Sequence, residues 1–260
     1  MIRIGVNGAA GRMGALLLKK CIGSTELWLG AATDRGSWIG KDVGQLLGID
    51  STGLSISPVT SQTYSECQVV IDFSLPGGTG ELIHSLSGQG LVVGTTGLPK
   101  EVSDAIAIYA RKAPVVMAAN FSTGVNVLLG MVQQAAELLP NHDIEIVEMH
   151  HNQKRDSPSG TALALADAAQ RGRDDAAEVI HGRSGHVGAR PKGEIAIHAL
   201  RGGDVAGEHT VYLAGAGERL MLGHLATSRE AFVDGALTAA AWCAGKAPGL
   251  YGMNDVLGLK

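Results

Sequence analysis

The sequence predicts an α/β protein in which a doubly wound parallel sheet is followed by a smaller α+β domain with a mixed sheet. Two observations lead to this fold class. Before Ser122, short apolar runs alternate with helical segments, as a parallel sheet covered by helices requires. After Ser122, longer strand-like runs are separated by glycine turns, which is typical of antiparallel or mixed pairing.

The elements before Ser122 follow from apolar periodicity. An apolar strand from Ile2 to Val6 enters a glycine turn, and a helix continues from Ala15 to Ile22. The stretch 36–65 has weak periodicity and is expected to be a loop. The remaining expected strands are 28–33, 68–74, 91–97 and 114–122, and the remaining expected helices are 80–86 and 100–112.

The second part begins with a long apolar helix over 124–139, which Pro140 closes. Strands are expected at 143–149, 194–200, 209–214 and 219–226, and a last helix begins after Ser228, a good N-cap residue. Since that helix is expected to pack back on the first sheet, we predict one domain from 1–122 and 229–260 and a second domain from 123–228.

Composition excludes several classes of protein. The chain has 260 residues, 45% of them apolar and 18% charged, which is an ordinary globular composition. No apolar run approaches the ~18–20 residues of a membrane span, so no membrane partner is expected. A formal charge of −4 and an aromatic content of 4% also argue against nucleic acid as a ligand.

The cysteines indicate a reducing compartment. Cys21, Cys67 and Cys243 are odd in number and far apart, which suits neither a disulfide framework nor a zinc knuckle. No targeting segment is expected from the opening residues. We therefore expect a cytoplasmic protein.

A glycine turn between the first strand and the first helix is the first functional signal. Gly8, Gly11 and Gly14 have the spacing G-x-x-G-x-x-G rather than G-x-G-x-x-G. Such a turn lets the backbone approach a pyrophosphate, and the helix N-terminus offers free N–H groups to it. Asp34 ends the next strand, where a carboxylate would bind adenosine ribose hydroxyls, and Arg35 would stack on adenine or meet a 2′-phosphate. These residues predict a site for NADH, NADPH or both.

Titratable groups are concentrated between Glu148 and Ala162. His150, His151 and Lys154 bring proton donors and positive charge into one short segment. His150 and His151 are adjacent, so a strand would send them to opposite faces, and no metal-ligand spacing accompanies them. We therefore expect no metal here, but a site that supplies a proton to an anionic substrate.

The same segment contains the start of a helix. Pro158 should stop any preceding helix, Ser159 can cap the next one, and Gly160 and Thr161 open the run that begins at Ala162. Backbone N–H groups at that helix start, together with the Ser and Thr hydroxyls, would receive a carboxylate.

These motifs resemble the 4-hydroxy-tetrahydrodipicolinate reductase family, formerly called dihydrodipicolinate reductase. The family pattern E-x-H-H-x-x-K-x-D-x-P-S-G-T-A stands in full from Glu148 to Ala162, and G-x-x-G-R-M-G stands from Gly8 to Gly14. Further agreement at 72–74, 94–97, 118–122, 201–209 and 228–252 extends the resemblance over nearly the whole chain.

The resemblance implies reduction of a small cyclic dicarboxylate by NADH, NADPH or both, within diaminopimelate and lysine biosynthesis. Water leaves a hydroxylated cyclic imine, hydride goes to C4 of its ring, and a proton is added at the neighbouring carbon. His150 would donate the proton, Lys154 would hold or protonate the substrate, and His151 would contact it. Gly160 and Thr161 would hold a carboxylate, and the assembly would be a homotetramer formed through the substrate domains. The residues expected to bind the nucleotide are Gly8, Ala9, Ala10, Gly11, Arg12, Met13, Asp34, Arg35, Gly94, Thr95, Thr96, Ala118, Ala119, Asn120 and Phe121.

The sequence departs from the family at two places. Asp34 stands where some members have Glu, which leaves the choice between NADH and NADPH open. The segment from Arg171 to Arg190 matches the family poorly, so its geometry is not predicted. His209 and Arg229 are left outside the predicted site.

Two alternatives to this function remain at the level of sequence. One is another two-domain dehydrogenase of amino-acid metabolism, of the homoserine or aspartate-semialdehyde type. The latter type needs a nucleophilic cysteine, and none of the three lies near the histidine segment. The other is a non-catalytic NAD(P)H sensor, which would keep the glycine turn but would not need His150 and Lys154.

Overall fold

The computed structural model describes residues 1–173 and 177–259. Its strands are β1 Ile2–Asn7, β2 Leu27–Thr33, β3 Val69–Asp72, β4 Gly90–Val93, β5 Pro114–Met117, β6 Asp143–His150, β7 Val179–His181, β8 Ile195–Arg201, β9 Gly207–Ala214, β10 Arg219–Ala226 and β11 Gly249–Tyr251. Its helices are α1 Arg12–Ile22, α2 Val43–Leu47, α3 Pro76–Ser85, α4 Lys100–Tyr109, α5 Thr123–Leu138, α6 Gly160–Arg173, α7 Glu230–Cys243 and α8 Met253–Leu257.

Residue contacts divide the chain into two compact units. Unit 1 consists of Met1–Ser122 and Glu230–Gly258, and unit 2 consists of Thr123–Arg229 together with Leu259.

Unit 1 is built on a six-stranded sheet with the order β11-β5-β4-β3-β1-β2. All neighbouring strands pair in parallel. The central strands β3 and β4 are buried at every residue, because helices cover both faces of such a sheet. The carboxyl ends of β1, β2, β3 and β4 therefore meet at one edge, where ligands bind in sheets of this kind.

Unit 2 contains a five-stranded sheet with the order β10-β9-β6-β8-β7. Its central strand β6 pairs in parallel with β8 and antiparallel with β9. Residues of β6 alternate between buried and partly exposed along the strand, and the buried face packs in one apolar cluster with α5 and α6. The predicted fold class, a parallel doubly wound sheet with a second mixed sheet, is confirmed.

The expected loop over 36–65 was wrong in part, because α2 lies inside it. Asp42 caps this helix by accepting a hydrogen bond from Gly44 N at 2.6 Å. The same carboxylate accepts from Thr52 N at 3.0 Å and from Gly53 N at 2.9 Å, so it closes the loop that follows. This helix has five residues and a side-chain cap, and it is too short to show an apolar period.

The segment from Arg171 to Arg190, for which no geometry was predicted, is described in part. Residues 174–176 lie outside the described residues. The structure contains the short strand β7 in this segment, and Arg183 and Arg190 both pair with Glu145 of β6. The segment is thus held on the sheet of unit 2 by the pairing of β7 with β8, by packing of Val179 on the apolar cluster and by these ion pairs.

Candidate active site

The glycine turn after β1 is shaped by close backbone contacts. Gly8 has φ +78°, and a Cβ added there would lie 3.0 Å from the carbonyl oxygen of Phe73. A Cβ on Gly14 would lie 2.1 Å from the carbonyl oxygen of Gly8. The N-cap residue of α1 is Gly11, which has no side chain to cap the helix. The first N–H groups of α1 are therefore not capped by a side chain and can receive an anion.

A cavity of about 600 Å³ opens at this turn. Most of the residues predicted to bind the nucleotide in this part of the chain line it, whereas Ala9 is fully buried. The lining residues are Asn7, Gly8, Ala10, Gly11, Arg12, Met13, Asp34, Arg35, Trp38, Val59, Phe73, Ser74, Leu75 and Gly78.

Asp34 and Arg35 are both held in place at the rim of this cavity. One carboxylate oxygen of Asp34 accepts a hydrogen bond from Ala10 N at 2.6 Å, and the other accepts from Arg35 N at 2.7 Å. The Arg35 guanidinium pairs with Glu81 of α3 at 2.8 Å, and both side chains are more than half exposed. Asp34 thus joins the glycine turn to the end of β2, and its remaining lone pairs stay open to hydroxyl groups.

The remaining residues predicted to bind the nucleotide follow β4 and β5. Within the described residues, the 600 Å³ cavity is not lined by Gly94, Thr95, Thr96, Ala118, Ala119, Asn120 or Phe121. A Cβ on Gly94 would lie 2.3 Å from the Phe73 ring, and Phe121 packs edge-on against that ring at 5.6 Å. Thr96 and Ala119 are exposed, while Thr95 is buried. Phe73, which also lines the cavity, therefore links these strand ends to it.

A buried carboxylate that was not predicted joins the strand ends of unit 1. Asp72, the last residue of β3, is fully buried. Its Oδ1 accepts hydrogen bonds from Asn7 Nδ2 at 2.8 Å and from Ser74 N at 3.1 Å. Its Oδ2 accepts from Thr79 Oγ1 at 2.5 Å and from Thr95 Oγ1 at 3.1 Å. Apart from the family agreement at 72–74, the sequence signal is an acid that ends an apolar strand, because its partners come from distant parts of the chain.

In unit 2, Glu148 and His150 lie two residues apart on β6 and share its buried face. Glu148 is fully buried, and its Oε2 lies 2.6 Å from His150 Nδ1. Arg201, at the end of β8, donates to both carboxylate oxygens of Glu148, at 2.8 and 2.9 Å. This bidentate ion pair was not predicted, because Arg201 and Glu148 meet only through the pairing of β6 with β8.

The protonation of this pair follows from burial and neighbouring charge. Burial alone would raise the pKa of Glu148, but hydrogen bonds from Arg201, His150 and Ser159 N outweigh it and hold the pKa below its usual value. Burial lowers the pKa of His150, and the Glu148 carboxylate opposes that effect. Glu148 is therefore an anion that accepts the Nδ1 proton of His150, which directs Nε2 away from Glu148.

Ser159 caps α6 beside this pair. Its Oγ accepts a hydrogen bond from Ala162 N at 3.1 Å and lies 3.0 Å from His209 Nε2. The rings of His209 and His150 meet edge-on with centroids 5.2 Å apart. Burial and the neighbouring charge of His150 lower the pKa of His209 to about 4, so it is neutral at neutral pH. His209 therefore belongs to the cluster, although it was left outside the predicted site.

The other predicted residues of unit 2 follow β6 in the chain. Lys154 Nζ pairs with both carboxylate oxygens of Asp156, at 2.9 and 2.8 Å. His151 is half-buried, and its Nδ1 accepts from Gln153 N at 3.2 Å. Gly160 is exposed and Thr161 is partly exposed at the first turn of α6. The structure thus brings together an oriented imidazole, an ammonium group and a helix N-terminus.

The described thiols are not suited to nucleophilic chemistry. Cys21, Cys67 and Cys243 are all buried and free. Burial raises the pKa of Cys21 to about 12 and the pKa values of Cys67 and Cys243 to about 11. None of them is a thiolate at neutral pH, so the structure does not support a dehydrogenase that acts through a cysteine.

Residues 1–173 and 177–259 contain neither a metal-binding cluster nor a membrane helix. No group of three or more His, Cys, Asp or Glu side chains in these ranges could hold a metal ion. No helix in them combines the length and apolar character that crossing a bilayer requires.

Comparison with known proteins identifies the family. Residues 2–121 match the family model described as "Dihydrodipicolinate reductase, N-terminus", and residues 124–257 match the model described as "Dihydrodipicolinate reductase, C-terminus". A 4-hydroxy-tetrahydrodipicolinate reductase of Anaeromyxobacter sp. (strain Fw109-5) is 44% identical over 100% of this chain and 99% of its own length. The enzyme of the same name from Methylocella silvestris is 45% identical over 99% of this chain and 97% of its own.

A solved structure has the same fold. The dihydrodipicolinate reductase from Paenisporosarcina sp. TG-14, described with dipicolinate bound, aligns with a TM-score of 0.76 at 24% identity and covers 98% of this chain and 99% of its own. The resemblance inferred from the motifs is confirmed by the family models and the full-length relatives. The chain belongs to the dihydrodipicolinate reductase family and is therefore an NAD(P)H-dependent oxidoreductase.

Proposed function

We propose that this chain reduces (2S,4S)-4-hydroxy-2,3,4,5-tetrahydrodipicolinate to 2,3,4,5-tetrahydrodipicolinate, with loss of water, in diaminopimelate and lysine biosynthesis. Family membership over the whole length supports this reaction. The single structural observation that carries it is the buried pair of Glu148 and His150 beside the start of α6. A proton donor next to a helix N-terminus suits a substrate that has carboxylates and must also gain a proton.

The nucleotide-binding role falls to unit 1. The glycine turn fits NAD(P)H, since a Cβ on Gly8 or Gly14 would meet backbone atoms and the cavity is large enough for part of a nucleotide. In the proposal, the N–H groups at the start of α1 hold the pyrophosphate and Asp34 accepts from ribose hydroxyls. When bound, NAD(P)H supplies the hydride. The proposed cofactor residues are Gly8, Ala9, Ala10, Gly11, Arg12, Met13, Asp34, Arg35, Gly94, Thr95, Thr96, Ala118, Ala119, Asn120 and Phe121.

The substrate-binding role falls to unit 2. His150 donates the proton from Nε2, and Glu148 keeps Nδ1–H on the opposite side of the ring. Lys154 supplies the positive charge that one substrate carboxylate needs, and it must exchange Asp156 for that carboxylate on binding. The remaining substrate contacts are assigned to His151, Ser159, Gly160 and Thr161.

Three further assignments extend the proposal. Residues 1–122 and 229–260 form the dinucleotide-binding domain, and 123–228 form the substrate-binding and oligomerisation domain, of a homotetramer. The substrate is a small anionic cyclic dicarboxylate, and the dipicolinate bound to the Paenisporosarcina reductase supports that class. A cytoplasmic location agrees with the three unpaired, buried thiols.

The experiment that tests the function measures oxidation of NADH and of NADPH, separately, by absorbance. Purified protein is supplied with the fresh condensation product of pyruvate and aspartate semialdehyde. We expect His150→Gln and Lys154→Ala to keep nucleotide binding while turnover falls by about 10²-fold or more. His84→Gln and Lys112→Ala, which change the same residue types at exposed positions of unit 1, serve as matched controls. Near-normal turnover in the first pair would contradict the assigned roles.

A further inference from the structure

Both carboxylate oxygens of Glu148 accept hydrogen bonds from donors within the protein. Oε1 accepts from Ser159 N at 3.1 Å and from Arg201 NH2 at 2.9 Å. Oε2 accepts from Arg201 NH1 at 2.8 Å and from His150 Nδ1 at 2.6 Å. A fully buried carboxylate with four donors has one allowed orientation, since any rotation would leave a buried charge without partners.

Arg201 is itself fixed from three sides. The pairing of β6 with β8 sets it opposite His150. Besides Glu148, its guanidinium donates to the carbonyl oxygens of Leu200 at 2.6 Å and Asp156 at 2.8 Å. The loop that carries Lys154 and Asp156 is therefore attached to the same guanidinium that holds Glu148.

We propose that Glu148 and Arg201 are positioning residues for the reduction: Glu148 keeps the Nδ1–H form of His150 and joins it to the start of α6, and Arg201 holds Glu148. The inference rests on the proposed function, because it takes His150 Nε2 as the nitrogen that gives up the proton. In that step the C=C π pair of the ring enamine, formed when C4 receives hydride, takes the proton and forms the C–H bond. The N–H electron pair stays on Nε2, so His150 is left neutral with its proton on Nδ1. Nε2 then takes up a proton from solvent, the proton that the overall reduction consumes.

The titratable and charged groups that face His150 come from four parts of unit 2. Glu148 lies on the same strand, Lys154 on the loop that follows, Arg201 on β8 and His209 on β9. Glu148 raises the pKa of His150, whereas burial, Lys154 and Arg201 lower it. His209 is neutral, because its own pKa is lowered to about 4 by burial and by the charge of His150.

Glu148 and Arg201 therefore act on His150 with opposite sign. Glu148→Gln removes the charge that favours the imidazolium, so we expect the pKa of His150 to fall. Arg201→Gln removes a charge that opposes the imidazolium and leaves Glu148 uncompensated, so we expect the pKa to rise. If Glu148 and Arg201 had only a structural role, the two variants would lower stability and turnover but would not shift the pKa of His150 in opposite directions.

The experiment is a nitrogen NMR titration of the full-length protein labelled at histidine, with resonances assigned by means of His150→Gln. In the wild-type protein we expect the neutral imidazole of His150 to carry its proton on Nδ1. We expect the titration midpoint to move by about one pH unit or more to lower pH in Glu148→Gln and to higher pH in Arg201→Gln, as for a charge a few Å away. Arg201→Lys keeps the charge and should lie close to the wild type.

Glu145→Gln is the matched control. Glu145 lies on the same strand with ion pairs of its own, to Arg183, Arg190 and His198, but on the other face of the sheet. We expect it to leave the His150 midpoint unchanged. A proton on Nε2 in the neutral wild-type ring, or midpoints that move in the same direction in Glu148→Gln and Arg201→Gln, would overturn the inference. The first of these results needs no variant to fold.

The pH dependence of kcat separates this inference from the proposed function. A proton donor works only when protonated, so the fall in kcat at high pH should follow the NMR midpoint in each variant. If the midpoints move as expected and kcat does not follow them, the positioning of His150 by Glu148 is supported and the role of His150 as proton donor is overturned. If the midpoints are the same in all variants and kcat follows them, the role of His150 as proton donor is supported and its positioning by Glu148 is overturned.

Discussion

The glycine turn of unit 1 is formed by backbone atoms, whereas the histidine site of unit 2 is formed by charged side chains. The turn consists of backbone atoms, and its contacts are steric, as the 2.1 Å approach expected of a Cβ on Gly14 illustrates. The histidine site consists of side chains that carry charge in a buried setting, with Glu148 fully enclosed between Arg201 and His150.

This difference determines how each region should respond to change. Backbone N–H groups and helix ends do not titrate, so the turn can bind an anion over a wide range of pH. The histidine site must gain and lose a proton, and its behaviour depends on the charges around it. Substitutions should therefore act through volume in the first region and through charge in the second.

The largest effect is expected where volume is added to the turn. Gly14→Ala places a Cβ 2.1 Å from the carbonyl oxygen of Gly8 and 2.8 Å from Ala9, both of them backbone atoms that no rotamer change can move. We expect a loss of stability at or above the upper end of the about 1–3 kcal/mol that overpacking usually costs. NADH binding should become undetectable. Urea unfolding and fluorescence titration measure the two effects.

A second helical glycine provides the control for this prediction. A Cβ on Gly130 of α5 would meet nothing within 4 Å. Gly130→Ala should therefore be neutral or slightly stabilising, since Ala is the better helix former. Equal stability of Gly14→Ala and Gly130→Ala would mean that the turn is not sterically determined.

Asp72 is a fully buried acid in unit 1, and it sharpens the comparison. Asp72→Asn keeps the volume but replaces one of two acceptor oxygens by an NH₂ group, which then faces Thr79 and Thr95 or Asn7 and Ser74. We expect a loss of about 2 kcal/mol, because hydrogen bonds to charged groups are worth about 1.5–3 kcal/mol each. Urea midpoints measure it, and the pH dependence of kcat should keep the shape of the wild-type curve. An altered shape would place Asp72 in the proton chemistry.

The parts of the molecule that the sequence predicts well are local ones. Fewer than twenty consecutive residues encode the glycine turn, and the same holds for the start of α6 at Ser159. Each stretch has the residue types that its backbone conformation requires. Alternation also predicted a strand at 143–149, which the structure contains as β6 and extends to His150.

The contacts that the sequence does not predict depend on pairing between distant segments of the chain. Arg201 reaches Glu148 only because β8 pairs with β6 in one register, and Asp72 gathers partners from β1, α3 and the end of β4. His209 enters the cluster through β9 in the same way. The three-residue strands β7 and β11 were missed for another reason, since so few residues show no period.

A third prediction tests whether charge governs unit 2 beyond the histidine site. Burial alone would raise the pKa of Glu145, but hydrogen bonds from Arg183, His198 and Arg190 lower it from 4.5 to about 2. Because the folded pKa is the lower one, the ionised carboxylate stabilises the fold above its ordinary pKa, and this contribution is lost as the pH falls toward 2. The wild type and Glu145→Gln should therefore differ in urea midpoint at neutral pH and converge in acid.

An exposed acid gives the control for Glu145. Glu137→Gln on α5 changes the same residue type at the surface, and it should differ little from the wild type at any pH. If Glu145→Gln also showed no difference at neutral pH, the ion pairs of this network would contribute nothing measurable to the fold.

The smallest effect is expected where charge enters the nucleotide region. Arg35 is the one predicted contact for a 2′-phosphate, and Glu81 of α3 pairs with its guanidinium at 2.8 Å. A bound phosphate must compete with Glu81 for that guanidinium and also meets the repulsion of its carboxylate, so Glu81→Gln should favour NADPH over NADH. Exposed ion pairs are worth at most about 1 kcal/mol, which limits the change in the ratio of kcat/KM to about fivefold. Added salt should reduce the difference.

Arg35→Gln is the matched variant, and in its background Glu81→Gln should not favour NADPH, because no guanidinium remains to be released. A change in the ratio that persists without Arg35 would show that Glu81 acts on the nucleotide directly, and charge would then matter at the turn as it does at the histidines.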